Sequence, residues 1–221
     1  MTTESAQKAC IFCNGELKNP ARAKRVASNC DLLIAADGGA KHLAGIGLQP
    51  RTVIGDMDSI ATDMWKDENS IAWISHSPDK DKSGVELAIE YALKQGCREI
   101  LLIAAVSSRL DHTLGNVALI ASNPGRIAIM DGASALVAVD RSEKCILHGQ
   151  VGTPVSLIPY GSGPFTVRTK GLKYSLGDES LHSATHGLSN ELSLTEACVC
   201  VLNGIMLVYI ENEDISFETQ Q

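Results

Sequence analysis

The sequence predicts an α/β fold in two parts: a parallel sheet covered by helices over residues 1–142, and a smaller antiparallel β part over residues 143–221. Three observations lead there. Short apolar runs alternate with helical stretches through the first half, the pattern of a parallel sheet under helices. The clearest helix, Val85 to Lys94, carries Val85, Ile89, Ala92 and Leu93 on one face and has Gly96 just past its end. After about Asp140 the helical period vanishes, leaving β-prone runs parted by Gly, Pro, Ser and Asn.

Taken in order, the strands of the first part are Ala9 to Cys13, Leu32 to Ala36, Val53 to Ile54, Ala72 to Ile74, Ile100 to Val106, Ile127 to Met130 and Ala135 to Val139. Each is a short apolar run without a polar interruption. Arg22 to Ser28, Ala40 to Ile46, Val85 to Lys94 and Leu110 to Ile120 read as the helices between them. The second part offers Cys145 to Leu147, Pro154 to Ile158, Phe165 to Arg168, Ala197 to Leu202 and Ile205 to Ile210. Asn203-Gly204, between the last two, predicts a two-residue hairpin. No repeat, low-complexity tract or long linker is visible, and the last few residues are expected to fray.

Composition narrows the class of function. The chain has 221 residues, 44% of them apolar and 4% aromatic, enough for one sizeable core or two small ones. A net charge of −7, with no basic stripe, argues against a protein that tracks a nucleic-acid backbone. Met1 to Lys8 is polar and the apolar run after it is short, so neither a signal peptide nor a membrane span is expected, and the cytoplasm is the expected location. The seven cysteines fit reduced thiols inside a cell, with Cys30, Cys97 and Cys145 single among apolar neighbours. Cys10-x-x-Cys13 lies in a run that reads as a buried first strand and lacks a second pair to complete a zinc site. Cys198 and Cys200, alternating with Val199 and Val201, read as packing.

Four short clusters carry the chemistry, each after a strand-like run, so a parallel sheet would bring them to one edge. In Asp37-Gly38-Gly39 the paired glycines let backbone N–H groups approach a phosphate or nucleotide, although a plain tight turn has the same composition. Asp56-x-Asp58 places two carboxylates that can converge on one cation from a loop, with Ser59 adding a hydroxyl or a helix cap; a solvated acidic turn is the alternative. Asp79-Lys80-Asp81 repeats that spacing just before the clearest helix, where Ser83-x-x-Glu86 forms a capping box and turns the helix N-terminus towards the same space. Lys80 or Lys82 could balance phosphate charge. Arg109-Leu110-Asp111-His112 opens another helix: Arg109 suits charge developing on a transferred phosphoryl group, and Asp111 could orient it, cap the helix or accept a proton. His112 in the first helical turn has a structural alternative. Hard oxygen ligands with Lys and Arg among them suit an Mg²⁺-bound polyphosphate.

With those clusters in this order the chain resembles the thiamine pyrophosphokinase family along nearly its whole length. The resemblance rests on Asn14-Gly15, Asp37-Gly38-Gly39, Asp56-Met57-Asp58-Ser59, Asp79-Lys80-Asp81, and Arg109-Leu110-Asp111-His112 with Asn116. In the β part it rests on Ser156-Leu157-Ile158-Pro159, Gly171-Leu172-Lys173-Tyr174 and Ser189-Asn190-Glu191. It implies a Rossmann-like α/β domain followed by an antiparallel β-sandwich or barrel that contributes to thiamine binding and dimerisation. The implied reaction moves a pyrophosphoryl group from ATP to the hydroxyethyl oxygen of thiamine, giving thiamine diphosphate and AMP. Asp56, Asp58, Asp79 and Asp81 would hold Mg²⁺. Asp37, Gly38, Gly39, Lys80, Ser83, Arg109 and His112 would face the nucleotide, and Asp111, Asn116, Ser189 and Asn190 the thiamine. Asp56, Asp58, Asp81, Arg109 and Asp111 would carry the chemistry, with an aspartate taking the alcohol proton. The family's homodimers place each site where the α/β domain of one subunit meets the β domain of the other. The chain departs from the family pattern at Ser83-Gly84, where many relatives have Thr-Asp, at Ser107-Ser108, where Gly-Gly is usual, and at Tyr174, where many have Trp. Two other readings are a related pyrophosphokinase acting on another primary alcohol, such as a hydroxymethyl pterin, and a non-catalytic binding homologue.

Overall fold

The computed structural model describes residues 7–55, 70–75, 81–181, 185–212 and 215–219, in two compact units, Met1–Asn116 and Val117–Gln221. The first unit runs β1 (Gln7–Phe12), α1 (Pro20–Ala27), β2 (Leu32–Ala36), α2 (Gly39–Gly45), β3 (Thr52–Gly55), β4 (Ala72–Ser75), α3 (Gly84–Lys94), β5 (Cys97–Ile103) and α4 (Leu110–Ala121), which enters the second unit. Its strands lie in the order β5-β1-β2-β3-β4, all parallel. Ile11, Phe12, Ile34, Ala35, Val53 and Ile54 are fully or almost fully buried, the double-sided burial that their unbroken apolar runs foreshadow. Parallel pairing aligns the carboxyl ends of all five strands, and that alignment positions the candidate site.

Local chemistry sets the helix starts. Asn19 caps α1 by accepting from Arg22 N at 3.1 Å with Pro20 at the first helical position, and Ser83 caps α3 by accepting from Glu86 N at 3.1 Å. One strand sits earlier than the sequence suggests: β5 covers Cys97–Ile103 rather than Ile100 to Val106. Ala104 takes a left-handed φ of 54°, which ends the strand and turns 104–106 into the loop that carries Arg109.

The second unit runs β6 (Ile127–Asp131), β7 (Ser134–Val139), β8 (Glu143–His148), β9 (Pro154–Tyr160), β10 (Thr166–Lys170), β11 (Gly177–Ser180), β12 (Asn190–Glu191), β13 (Glu196–Asn203), β14 (Ile205–Ile210) and β15 (Ile215–Thr219). Strands β12-β9-β14-β7-β6 follow one another in one sheet and β11-β10-β13-β8-β15 in another, antiparallel throughout. A single apolar cluster draws Val137, Val139, Val155, Leu157, Met206 and Val208 from the first sheet, and Cys145, Leu147, Val167, Val199 and Val201 from the second. This is a β-sandwich core, built from alternate residues of facing strands.

Three expectations are corrected here. Asn203-Gly204 is not a hairpin: β13 pairs with β10 and β8, whereas β14 pairs with β7 and β9, so the chain switches sheets at this point. Gly204 makes the corner with φ 82°, and a Cβ there would stand 2.6 Å from the Phe165 ring. Cys198 and Cys200 do not pack in the core. Val199 and Val201 fill it, and the two cysteines point to the other face, half-buried. Lastly, 215–219 form an edge strand on β8 instead of fraying. Cys10, Cys13, Cys97 and Cys145 are buried as expected, while Cys30 is half-buried.

Candidate active site

The first cluster is built where β1 and β2 end. Cys13 N donates to Ile103 O at 2.8 Å, Gly15 N to Ala104 O at 2.8 Å and Glu16 N to Val106 O at 3.1 Å, so the chain leaving β1 stays laced to the loop after β5. His42 of α2 donates from Nε2 to Gly15 O at 2.8 Å, since a carbonyl oxygen can only accept. No spacing in the sequence marks His42, which is one isolated histidine in a short helix. Gly39 lets α2 start against β1, since a Cβ there would lie 1.9 Å from Phe12 O. Cys13 carries no redox chemistry: burial first, and the nearby Asp37 charge second, push its thiol up to about 12.

Asp37 is the centre of the arrangement. Its backbone adopts φ 49°, a left-handed conformation unusual outside glycine, and its N–H donates to Ile54 O at 2.9 Å. Its carboxylate lies between the end of β3 and the start of α3. Oδ1 is 2.6 Å from where a Cβ on Gly55 would stand, and Oδ2 is 2.2 Å from where one on Gly84 would stand. The departure from the family pattern at Ser83-Gly84 thus acquires a local meaning: the space beside residue 84 holds the Asp37 carboxylate, at the positive end of α3. Ser83 spends its hydroxyl on the helix cap. Asp81 is exposed two residues before it, and Lys82 is paired with Glu90 of α3. Asp56, Asp58, Asp79 and Lys80 lie outside the described residues.

After β5 the loop is stitched by short polar side chains. Ser107 N donates to Thr113 Oγ1 at 3.1 Å and Ser107 Oγ to Arg109 O at 3.1 Å, while Asn116, 8% exposed, donates from Nδ2 to Ala105 O at 2.7 Å. This bracing presents Arg109, whose Nε and Nη2 donate to the two oxygens of Asp111 at 3.2 and 2.5 Å. Both side chains are largely exposed. The Arg109 guanidinium holds the Asp111 carboxyl below the usual carboxylate range, and Asp111 in turn raises Arg109. Of the three roles open to Asp111, this geometry matches orienting Arg109. His112, next to it, is exposed in the first turn of α4.

The topology therefore brings Asp37, Gly38, Gly39, Asp81, Ser83, Arg109, Asp111, His112 and Asn116 to the loops and following helices at the carboxyl ends of parallel strands. Among the described residues no group of three or more His, Cys, Asp or Glu side chains could hold a metal. The described carboxylates of Asp37 and Asp81 are hard oxygen donors, the chemistry Mg²⁺ takes. Ser189 and Asn190 belong to the second unit. Ser189 has φ 58° and donates its N–H to Ser156 Oγ at 3.3 Å. Asn190, 6% exposed, accepts on Oδ1 from Tyr174 N at 3.1 Å and Glu191 N at 2.9 Å and donates from Nδ2 to Tyr174 O at 2.9 Å. Its amide is committed to the loop that displays Tyr174, which is 62% exposed.

Comparison with known proteins places these features in context. The family model described as thiamin pyrophosphokinase, catalytic domain, matches residues 23–130, and that described as thiamin pyrophosphokinase, vitamin B1 binding domain, matches residues 139–206. The thiamine pyrophosphokinase of Bacillus subtilis (strain 168) is 25% identical over 183 residues, 80% of this chain and 86% of that protein. Thiamine pyrophosphokinase 1 of Oryza sativa subsp. japonica is 24% identical over 80% of this chain and 76% of its own length. The crystal structure of the Bacillus subtilis enzyme superposes with a TM-score of 0.80 at 22% identity, covering 94% of this chain and all of that one. Thiamin pyrophosphokinase from Candida albicans gives 0.76 at 14% identity, over 94% of this chain and 90% of its own, so the fold is shared where the sequence has largely diverged.

Proposed function

The chain belongs to the thiamin pyrophosphokinase family, and from that premise we propose how its strand-end loops act on ATP, Mg²⁺ and thiamine. Its activity is pyrophosphoryl transfer to thiamine. In our reading the hydroxyethyl oxygen of thiamine attacks the β-phosphorus of ATP, the bond from that phosphorus to the α-phosphate bridging oxygen breaks, and AMP leaves with that oxygen. The observation that carries this reading is the position of the Asp37 carboxylate, held between Gly55 and Gly84 at the start of α3.

Asp37 and Asp81, together with Asp56, Asp58 and Asp79 of the other acidic clusters, would hold Mg²⁺. Bound there, Mg²⁺ supplies a Lewis-acid clamp that offsets polyphosphate charge and fixes its oxygens. The protein's own contribution is positioning and charge. The Asp37-Gly38-Gly39 turn and Ser83 at the start of α3 face the nucleotide, the first-turn amides of α3 attract its anionic oxygens, and Lys80 would balance phosphate charge. Arg109, aimed by Asp111, stabilises negative charge on the transferred group, and His112 lies beside it. A carboxylate paired with arginine is a poor base, so the alcohol proton goes to one of the other aspartates.

We assign residues 1–142 to catalysis and 143–221 to thiamine binding and dimerisation, with each site completed by the partner subunit. Ser189 contributes directly to the thiamine side, whereas Asn190 acts by fixing the Tyr174 loop, and Asn116 by fixing the loop before Arg109. No helix among the described residues is long and apolar enough to cross a membrane.

Product analysis tests the reading. Purified protein with ATP, Mg²⁺ and thiamine should yield AMP and thiamine diphosphate in equal amounts. Release of ADP, or AMP formed only with a different primary alcohol, would overturn it.

A further inference from the structure

Strand β13 is the middle strand of its sheet and carries Cys198 and Cys200 two residues apart on the face away from the core. Their sulfurs are 3.5 Å apart, close enough for one S–H to donate to the other, and both residues are half-buried, so solvent reaches the pair. The strand pairing sets basic residues beside them. Lys144 of β8 and Arg168 of β10 lie directly opposite Cys200, and Lys170 of β10 lies opposite Cys198, with Ile146 on its other side. Residues directly opposite in an antiparallel pair share a face, with Cβ atoms about 5 Å apart. Arg168 is engaged by Asp178 through two bonds, of 2.6 and 2.5 Å, and Glu218 of β15 lies opposite Lys144. The thiolate is the form of cysteine that binds metals. None of this takes part in the reaction proposed above.

The sulfur separation decides what the pair is built for. A disulfide needs its sulfurs at about 2.05 Å, and two residues apart on a strand the Cα atoms are about 6.8 Å from each other, the upper limit of disulfide spans. Oxidation would therefore have to close the gap by about 1.5 Å from an unfavourable backbone distance. A tetrahedral ion with metal–sulfur bonds of about 2.3 Å sets its sulfurs about 3.8 Å apart, within a few tenths of an ångström of the spacing here. We propose that Cys198 and Cys200 form a surface chelate for a thiophilic divalent cation of the zinc and cadmium class. Each thiol gives up its proton to solvent and each sulfur donates one electron pair to the ion. Water fills the remaining positions, and two thiolates balance the charge of the dication.

Cadmium titration of the full-length reduced protein tests this. One ion per chain should bind with an ultraviolet cadmium–thiolate charge-transfer band and release of two protons, and it should protect both Cys198 and Cys200 from alkylation in peptide mass mapping. Cys198→Ser and Cys200→Ser should each weaken that binding by more than about 100-fold, the upper end of what loss of a mere supporting partner costs. Both variants should melt like the parent, since neither side chain fills the core, and Cys30→Ser should leave the titration unchanged. A charge-transfer band that survives Cys200→Ser, release of a single proton per ion, or protection confined to Cys30 would overturn the proposal. Cadmium on the acidic loops gives no thiolate band and so cannot imitate it.

Discussion

Two buried asparagines, one in each unit, stand at positions where the resemblance leads one to expect a substrate contact, and the protein uses them differently. Asn116 reaches back from α4 and holds one carbonyl, Ala105 O, at the base of the Arg109 loop. Asn190 grips its loop from both ends, binding Tyr174 N, Glu191 N and Tyr174 O with a single amide. A motif residue can thus earn its place by shaping backbone, and the number of backbone groups it satisfies sets what its loss costs. The first loop presents a charged pair at a strand end, so its bracing should register in turnover. The second displays an exposed aromatic on the sandwich, so its bracing should register in stability and thiamine affinity.

Substitutions sharpen that contrast. The largest effects should come from the groups that the first unit presents. Asp81→Asn should lower kcat below detection with the melting temperature unchanged, and a near-normal rate would remove Asp81 from the metal site. Arg109→Ala should reduce kcat by about 10³-fold, as loss of an arginine that stabilises a transferred phosphoryl group does. Next comes Asn190→Ala, which strands three backbone groups and should destabilise by about 3 kcal/mol, lowering Tm by about 8 °C. It should raise KM for thiamine while leaving kcat close to normal. Asn116→Ala strands one carbonyl, so about 1.5 kcal/mol is expected, with the functional loss in kcat. If calorimetry and kinetics showed the two asparagine variants shifting the same parameter, the contrast would be broken.

The smallest effect concerns pH. Asp111 is held below its ordinary pKa of 3.8 by Arg109, so the pairing is complete above that value and is lost only as pH falls through the lowered one. The Arg109 orientation should therefore be indifferent to pH between 5 and 8, and Asp111→Asn should leave the shape of the kcat profile over that range unchanged. A new inflection near neutrality in that variant would give Asp111 a protonic role.

Much of the first unit was legible because long apolar runs and a 3.6-residue period report burial directly, as in Leu32–Ala36 and Gly84–Lys94. The errors share a cause, which is that pairing partners are not local. Asn203-Gly204 announces a turn, but whether the next strand returns beside β13 or crosses to the other sheet depends on where Val199, Val201, Met206 and Val208 meet. Cys198 and Cys200 read as packing from the sequence because alternation shows two faces without saying which is buried. Gly177–Ser180 and Asn190–Glu191 are short, polar strands with no apolar signature at all. At the site, the acid clusters were visible as spacing. That Asp37 fills the room beside Gly84, or that Asn190 is spent on Tyr174, depends on contacts between distant segments and could not be read from either alone.

The central claim is that the loops at the carboxyl ends of the first unit's strands grip the polyphosphate. A crystal structure with Mg²⁺, thiamine and a non-hydrolysable ATP analogue addresses it most directly. The triphosphate should lie over the start of α3, with its metal on carboxylates that include Asp37 or Asp81 and with Arg109 turned towards the β-phosphate. A triphosphate bound away from these loops, with Asp37 still directed between Gly55 and Gly84 and no metal near it, would contradict the account.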